Sequence, residues 1–341
     1  MNGPCLRWEL LTLHLRNPFR LSYGVSETRQ AYWIRLRDDQ GWGEGTIPPY
    51  YRVDASAMIQ CWDRAAKQSM PFPEEFDQIL HWLPEGPAPA RSALELALAD
   101  RIAKGRGVPL YQLLGIAKPS SLPTSFTIAI DEPDSMARMA KEIPDYSVIK
   151  LKLGSDDDES RVRAVRAARP DAKLRVDANA GWAFDAALGH LKWLEQCDLE
   201  LIEQPLARDQ HAAMGELQKR TSIPIVADES VQTMDDIEQL GVAGVRGINL
   251  KLMKVGGLTN ALKILKRSRD LGMQVMLGCM IETSIGTTAM AHLAGLADWL
   301  DLDAPLLINN DPFEGITYDR HATITVPDRP GIGVIRKAPA P

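Results

Sequence analysis

The feature that most constrains this sequence is a repeat of short apolar runs, each followed by an amphipathic segment, which begins near Leu122. Apolar runs of six to eight residues predict buried strands, and apolar residues at helical spacing between them predict helices. The predicted strands cover residues 125–130, 148–154, 173–179, 199–205, 223–230, 247–253, 274–281 and 299–306. The predicted helices include residues 157–168, 183–197, 209–220, 234–243 and 258–271. Eight alternating units predict the α/β class and favour a closed (β/α)8 barrel over a doubly wound sheet, with the last helix short or replaced.

The first part of the chain follows a different pattern and predicts a small α+β unit. Residues 7–16 and 31–37 alternate between polar and apolar, which is typical of half-buried strands, and the cluster at 38–41 predicts a hairpin turn. Helical periods follow at residues 54–66 and 90–104. Gly105 is predicted to end the second helix.

These patterns divide the chain into two domains. Residues 1–120 are predicted to form an α+β capping domain, and residues 121–321 the barrel that carries the site. The Gly- and Pro-rich segment 322–341 is expected to pack back on the capping domain. A chain of 341 residues is long enough for two such domains.

The charge balance excludes two classes of partner. The chain has 39 Lys and Arg residues against 45 Asp and Glu residues, a net charge of −6, with no dense basic run. We therefore expect a small-molecule substrate and neither nucleic acid nor a membrane surface. Residues 1–20 contain no secretory apolar region, and no apolar run approaches the ~20 residues of a membrane span. We expect a cytoplasmic protein that forms a homo-oligomer.

The cysteines exclude two further classes of protein. Cys5, Cys61, Cys197 and Cys279 are far apart in the sequence, and no pair has CxxC or metal-type spacing. We expect four reduced thiols, which fits a cytoplasmic protein. A disulfide scaffold and a zinc finger are excluded.

Three carboxylates are expected to meet at the C-terminal rim of the barrel, where such folds carry their chemistry. Asp177, Glu203 and Asp228 end three consecutive predicted strands, at intervals of 26 and 25 residues. Their mutual repulsion calls for a cation, and ligation by oxygen alone favours Mg²⁺, with Mn²⁺ as the alternative. For any one of them, a strand-end acid that caps a helix N-terminus is the simpler interpretation.

Three lysines near the same rim are candidate acid/base groups. Lys150 and Lys152 are two residues apart, so they share one face of the second barrel strand. Side by side near a divalent cation, two ammonium groups are expected to lower each other's pKa and make one a general base. Lys251 ends the sixth strand, roughly across the barrel, so a carbon held at the metal would meet a lysine on each face.

The segments KLKLG, LRVDANAGW, LIEQPL, IVADESV and INLKLMKVGG resemble the muconate-lactonizing branch of the enolase superfamily. The resemblance covers the whole chain and implies a capping domain on a barrel. Enzymes of this superfamily use a Lys or His base, with metal ions that stabilise an enediolate. The resemblance implies metal ligands at Asp177, Glu203 and Asp228 and acid/base lysines at Lys152 and Lys251, with Lys150 in support.

Three further polar residues are expected to support this site. Asn179 and Glu229 adjoin the predicted metal ligands in sequence and are candidates to orient them. Glu282 follows the seventh strand and would hydrogen-bond Lys251, with an ordinary surface acid as the alternative.

The segment DLDAPLL carries two carboxylates, Asp301 and Asp303, that point the same way from the eighth strand. Such a pair suits one protonated amine, and a helix cap or a second metal site is the alternative. The pair resembles the signature of dipeptide epimerases, in which it binds the α-amino group while the C-terminal carboxylate binds the metal. That resemblance implies epimerisation of the C-terminal residue of an L-Xaa-L-Yaa dipeptide by Lys152 and Lys251.

Specificity is expected to lie in the capping domain. The candidate substrate-binding residues there are Tyr23, Gly24, Tyr50 and Tyr51. Members that act on Ala-Glu resemble one another in having an arginine at the position of Gly24, so an Ala-Glu preference is not expected, although Arg20 and Arg29 are nearby. The tyrosines would line an apolar, aromatic or cation-accepting pocket, or simply pack the capping domain on the barrel.

Several other activities remain as alternatives. o-Succinylbenzoate synthase, N-succinylamino acid racemase and muconate cycloisomerase belong to the same branch, but their substrates lack the free α-amine that Asp301 and Asp303 would bind. A Schiff-base aldolase would use a barrel lysine without a metal. A non-catalytic binding protein on this scaffold is the last alternative.

Overall fold

The computed structural model describes residues 5–119 and 121–338. Residues 1–4, 120 and 339–341 lie outside the described residues. The predicted domain boundary at residue 120, the start of the segment 1–20 and the end of the segment 322–341 therefore fall outside them.

An antiparallel sheet opens the described chain. Strand β1 (Leu6–Leu21) pairs with β2 (Gly24–Leu36), which pairs with β3 (Gly41–Thr46). The predicted hairpin at residues 38–41 is confirmed, because it joins β2 to β3. Strand β1 is longer than the predicted segment 7–16, since it continues past a shift of register between His14 and Phe19.

The helices of the capping region cover this sheet. They are α1 (Ala55–Lys67), α2 (Ile79–Trp82), α3 (Ala88–Arg106) and α4 (Leu110–Leu113). Helix α3 packs so closely on β3 that a Cβ at Gly43 would lie 2.0 Å from the carbonyl oxygen of Ala93. The prediction that α3 ends at Gly105 is wrong. Gly107 ends it, with φ +68°, a left-handed conformation that glycine adopts without strain.

Eight parallel strands of the described chain form a nearly closed barrel, which confirms the predicted (β/α)8 fold. The strands are β4 (Phe126–Ile128), β5 (Val148–Lys152), β6 (Lys173–Asp177), β7 (Leu199–Glu203), β8 (Ile225–Ala227), β9 (Gly247–Leu250), β10 (Gln274–Gly278) and β11 (Trp299–Asp301). Neighbours in sequence are neighbours in the sheet. Ser125 N–H donates to the carbonyl oxygen of Leu300 at 3.1 Å, which brings the first and last strands together.

The barrel helices follow the strands on the outside. They are α5 (Pro133–Glu142), α6 (Asp158–Ala168), α7 (Phe184–Leu194), α8 (His211–Gln218), α9 (Met234–Ala243), α10 (Leu252–Val255), α11 (Leu258–Asp270), α12 (Ser284–Ala291) and α13 (Ala304–Leu307). The last of these has four residues, so the final helix is short, as predicted. Strands covered by helices on one face and filled by side chains on the other are buried throughout, which explains their apolar runs.

The C-terminal segment returns to the capping region. Its short strands are β12 (Phe313–Glu314), β13 (Thr317–Tyr318), β14 (Ile324–Thr325) and β15 (Ile335–Arg336), paired β12 with β15 and β13 with β14. Ile332 N–H donates to Asp100 on α3 at 2.7 Å, and Leu110 N–H donates to the carbonyl oxygen of Gly331 at 2.8 Å. These contacts tie the segment to α3 and α4, while the domain limits themselves stay a prediction.

The structure bears on two expectations from the sequence, which concern the cysteines and membrane-spanning segments. All four cysteines are free: Cys5 is exposed, Cys61 and Cys197 are buried, and Cys279 is half-buried. In the described part of the chain, no helix combines the length and the apolar character that crossing a bilayer requires.

Candidate active site

Three carboxylates meet at the C-terminal rim of the barrel. Asp177 and Glu203 end β6 and β7 and are register partners, and Asp228 directly follows β8. One oxygen from each residue lies within 4.8 Å of the others, and the three side chains are buried. The spacing of one acid per βα unit in the sequence thus corresponds to one cluster in space.

The donor set of this cluster fits a hard divalent cation, because it offers only carboxylate oxygens. Burial and the neighbouring Asp177 raise the pKa of Glu203 to about 8, although Lys150 lies beside it, so a further cation at the cluster would favour the ionised form of this acid. Beside it, buried Oδ1 of Asn179 and Oε2 of Glu229 have no hydrogen-bond donor among the described residues. A cation would stabilise the ionised acids, and its water ligands would donate hydrogen bonds to the two unpaired oxygens.

Lys150 is enclosed by acids. Its Nζ lies 2.6 Å from Glu203, 2.7 Å from Asp301 and 3.0 Å from Asp177, and 1% of its side chain is exposed. Although burial opposes it, these carboxylates raise the pKa of Lys150 well above its usual value. The expected lowering of pKa by a neighbouring ammonium group is therefore outweighed at Lys150. The sequence does not show that three acids would converge on one lysine.

Lys152 and Lys251 project into the barrel from opposite sides. Strands β5 and β9 are four positions apart in an order of eight, so their ends face each other across the barrel. Lys152 Nζ lies 2.6 Å from Asp177, and Lys251 Nζ lies 2.8 Å from Asp228. Both side chains line the same cavity as the acid cluster. Burial tends to lower the pKa of Lys251, but Asp228 raises it above its usual value.

A fourth lysine, Lys254, lies beside Asp228 and is not among the site residues that the sequence predicts. Its Nζ lies 2.5 Å from Asp228 Oδ1 and donates to the carbonyl oxygen of Asn249 at 2.9 Å and to that of Asp228. Asn249 in turn donates to Glu203 at 2.8 Å. Lys254 lies in α10 three residues after Lys251, which directly precedes the helix, and this spacing is the signal in the sequence that points to it.

The two acids of DLDAPLL have different environments. Asp301 accepts from Ser125 Oγ at 2.7 Å through one oxygen and from Lys150 at 2.7 Å through the other. Asp303 accepts at one oxygen from Thr127 N–H at 2.7 Å. Burial and the neighbouring Asp301 raise the pKa of Asp303 to about 6. Both line the cavity, but Asp301 forms an ion pair with Lys150, whereas no ion pair joins Asp303 to a described residue.

Asn179 and Glu229 lie beside the cluster as the sequence predicts. Asn179 N–H donates to Asp177 at 2.9 Å, and its side-chain amide donates to Glu229 at 3.2 Å. Burial and the adjacent Asp228 raise the pKa of Glu229 to about 7. The pair thus connects Asp177 with Asp228, because Asn179 contacts Asp177 and Glu229 is the residue next to Asp228.

Glu282 lies behind the cavity instead of in it. It accepts from Thr287 Oγ1 at 3.5 Å, and no hydrogen bond joins it to Lys251 among the described residues. Another buried acid, Glu44, lies nearby on β3 of the capping sheet. It accepts from Thr283 N–H at 2.9 Å and from Gly286 N–H at 3.0 Å. Burial and Glu44 raise the pKa of Glu282 well above its usual value. Glu44 and Glu282 thus mark the contact between capping sheet and barrel.

The capping region covers the mouth of the cavity with aromatic side chains. The cavity contains about 750 Å³ of empty space, a volume that includes part of the open solvent at its mouth. Tyr23, Tyr50 and Tyr51 line it, with ring centroids 5.5 Å apart for Tyr23 and Tyr50 and 5.3 Å apart for Tyr50 and Tyr51. Gly24 does not line it: it begins β2, and a Cβ there would meet only open space.

Comparison with known proteins gives one family match. Residues 134–337 match the model of the family described as enolase C-terminal domain-like. A curated relative from Bacteroides thetaiotaomicron, an L-Ala-D/L-Glu epimerase, is 35% identical over 95% of this chain and 86% of its own length. Another from Roseobacter litoralis, a hydrophobic dipeptide epimerase, is 36% identical over 96% of this chain and 98% of its own.

A solved structure also matches nearly the whole chain. It is a dipeptide epimerase from Cytophaga hutchinsonii, complexed with Mg and the dipeptide D-Ala-L-Val. The two share 30% identity and superpose with a TM-score of 0.92, over 99% of this chain and 96% of the other. The likeness therefore includes the capping region as well as the barrel.

Proposed function

Because the chain belongs to the enolase C-terminal domain-like family, we propose that it is a metal-dependent dipeptide epimerase. The reaction inverts the α-carbon of the C-terminal residue of a dipeptide. The observation that carries the proposal is the opposition of Lys152 and Lys251 across a cavity that also holds the three-carboxylate cluster and Asp303.

Each functional group of a zwitterionic dipeptide has a counterpart in this cavity. The C-terminal carboxylate goes to the cluster of Asp177, Glu203 and Asp228, which would hold Mg²⁺. The free α-amine goes to Asp303, a cavity carboxylate that no described lysine or arginine neutralises. When bound, Mg²⁺ supplies two positive charges, which polarise the substrate carboxylate and lower the pKa of ammonium groups beside it.

The lysines then divide the proton transfers between them. One of Lys152 and Lys251, in its neutral form, removes the α-proton through Nζ. The other, in its ammonium form, delivers a proton to the opposite face of the same carbon, which inverts it. The first lysine ends as ammonium and the second as amine, so the proton count balances. Lys150 takes no part in the transfer, because three acids hold its charge.

Two groups of rival substrates share one difference from a dipeptide. N-acylated amino acids and muconate lack the α-amine, so they would leave Asp303 without a partner. The expected cytoplasmic location and homo-oligomeric assembly stay predictions.

The test is epimerisation of a library of L-Xaa-L-Yaa dipeptides with Mg²⁺, followed by chiral chromatography. N-succinyl amino acids serve as the matched substrates without a free amine. We expect the L-Xaa-D-Yaa product from dipeptides only, and loss of activity with a chelator that added Mg²⁺ restores. Turnover of the N-succinyl compounds but of no dipeptide would replace the proposal with a racemase of the same branch.

A further inference from the structure

We infer that Arg29 is a specificity-determining residue that selects dipeptides with an acidic side chain. The inference rests on the proposed function and adds a substrate class to it. The two curated relatives above differ in the dipeptides named for them. Membership of the family therefore does not fix which dipeptides this chain prefers, and the residues that line its own cavity determine that preference.

Arg29 differs from every other cation that lines the cavity. Lys150, Lys152 and Lys251 each lie within 3.0 Å of a carboxylate. Arg29 lines the same cavity from β2 and forms no ion pair with any described residue. Within the described chain, its side chain donates from Nη1 to the carbonyl oxygen of the preceding Thr28, at 3.1 Å.

The position of Arg29 on the strand directs it toward the barrel. It lies opposite Leu13 in the β1–β2 register and two residues before Ala31, and both neighbours are buried in the cluster between capping sheet and barrel mouth. Burial lowers the pKa of Arg29, and the ionisable neighbour that acts on it is Tyr23, not an acid. A guanidinium that has lost part of its hydration without gaining a carboxylate is a receptor for one.

The other charges of the substrate are already assigned, which identifies the missing anion. The C-terminal carboxylate belongs to the metal cluster and the α-amine to Asp303. The remaining anion that a dipeptide can offer is the side-chain carboxylate of Asp or Glu. Apolar side chains that line the same cavity as Arg29 would contact the methylene groups that carry this carboxylate; they include Phe19, Leu21, Ile281 and Leu307. Gly24, the first residue of β2, carries no side chain, and Arg29 supplies a cation from the same strand.

Amide isosteres test this inference directly. We would measure kcat/KM for L-Ala-L-Glu against L-Ala-L-Gln, and for L-Glu-L-Ala against L-Gln-L-Ala. At one of the two positions, the acidic dipeptide should be preferred about 10- to 100-fold, through KM, as expected for a charge-assisted hydrogen bond. Arg29→Gln should remove this preference, so that the acid and the amide of each pair have equal kcat/KM. The matched control is Arg20→Gln, an exposed arginine outside the cavity lining, which should keep the preference.

Each contrary result has its own meaning. Equal values for acid and amide in the unaltered protein, or a preference that survives Arg29→Gln, would overturn the inference and leave the epimerase in place. No turnover of any dipeptide would overturn the proposed function and this inference with it. Circular dichroism of Arg29→Gln, together with its turnover of the amide substrates, would show that the variant is folded.

Discussion

The two walls of the cavity are built on different principles. The barrel wall is made of charged side chains that are almost fully buried and paired with one another, such as Lys150 at 1% exposure. The capping wall is made of aromatic side chains that contact each other, with Tyr23 still 44% exposed. In the first wall, removal of one charged partner leaves a buried charge unpaired. The second should tolerate change because its aromatic side chains contact each other without buried ion pairs.

The difference indicates how one scaffold combines a constant reaction with variable substrates. Proton transfer at a carbon needs groups held at fixed positions, which an interlocked set of ion pairs on strand ends provides. Selection of a side chain needs only a fitting surface, which loops and a sheet edge provide. Substitutions in the barrel wall should therefore affect folding, metal and turnover, and substitutions in the capping wall should affect preference.

The largest effect is expected from Lys150→Met. This change leaves Asp177, Glu203 and Asp301 without their shared ammonium group, so the free energy of unfolding should fall by about 3–5 kcal/mol. Urea unfolding measures it, and added Mg²⁺ should restore part of the loss. The control is Lys173→Met, whose 67% exposed side chain pairs with Glu200. Equal stability of the two variants would show that the buried carboxylates of the barrel wall do not depend on Lys150.

The next effect concerns Lys254, which fixes the orientation of Asp228. Lys254→Met should weaken Mg²⁺ binding about 10- to 100-fold, the usual result of removing a group that orients a metal ligand. Isothermal titration calorimetry measures this without turnover. Lys266→Met, which removes an exposed pair with Asp270 at 2.7 Å, is the control. An unchanged Kd for Lys254→Met would mean that Asp228 needs no such support.

A smaller and more selective effect is expected at Asp303. Asp303→Asn should raise KM for dipeptides about 10- to 100-fold, because it loses a charged partner for the α-amine. Asp301→Asn, by contrast, should lower stability and kcat more than binding, since Asp301 neutralises Lys150. A larger KM effect at Asp301 than at Asp303 would reverse these two roles.

The pH dependence of binding follows from the same group. Asp303 has a raised pKa of about 6, so it is neutral below that value and charged above it. Only the charged form attracts the ammonium group, so KM should rise as pH falls through about 6. KM measured between about pH 5 and about pH 8 should show this rise in the unaltered protein and not in Asp303→Asn. A similar rise in the variant would assign it to another group.

The smallest effect is expected in the capping wall. Tyr50→Phe keeps the ring that contacts Tyr23 and Tyr51, so stability should change by no more than about 0.5 kcal/mol. The order of preferred dipeptides should shift while the best kcat stays within about threefold. Thermal unfolding and a dipeptide panel measure the two quantities. A loss as large as that of Lys150→Met would remove the distinction between the walls.

The sequence predicts the barrel and its rim because parallel strands all end at the same edge. Asp177 and Glu203 appear as strand-end acids, and the register then sets them side by side. The same rule places Lys152 next to Asp177 on adjacent strands. The order of the strands alone predicts that Lys251 lies across the barrel from Lys152, because strands four positions apart in a barrel of eight face each other.

Contacts that cross the barrel or join its two parts could not be predicted in this way. Lys150 reaches Asp301, 151 residues away in sequence, so the division of roles between Asp301 and Asp303 emerges only in three dimensions. Glu44 meets Thr283 across 239 residues. Gly105 was expected to end α3, but glycine is tolerated inside a helix, and the left-handed turn comes at Gly107.

Deuterium exchange by single-lysine variants tests the central claim most directly. Lys152→Ala and Lys251→Ala would each be incubated in D₂O and Mg²⁺ with the L,L and the L,D epimer of one dipeptide in separate reactions, and mass spectrometry would measure deuterium uptake at the C-terminal residue. Neither variant should interconvert the epimers. Each should exchange the α-proton of one epimer only, and the two variants should act on opposite epimers. Exchange of both epimers by either variant, or epimerisation by both, would contradict two lysines acting from opposite faces.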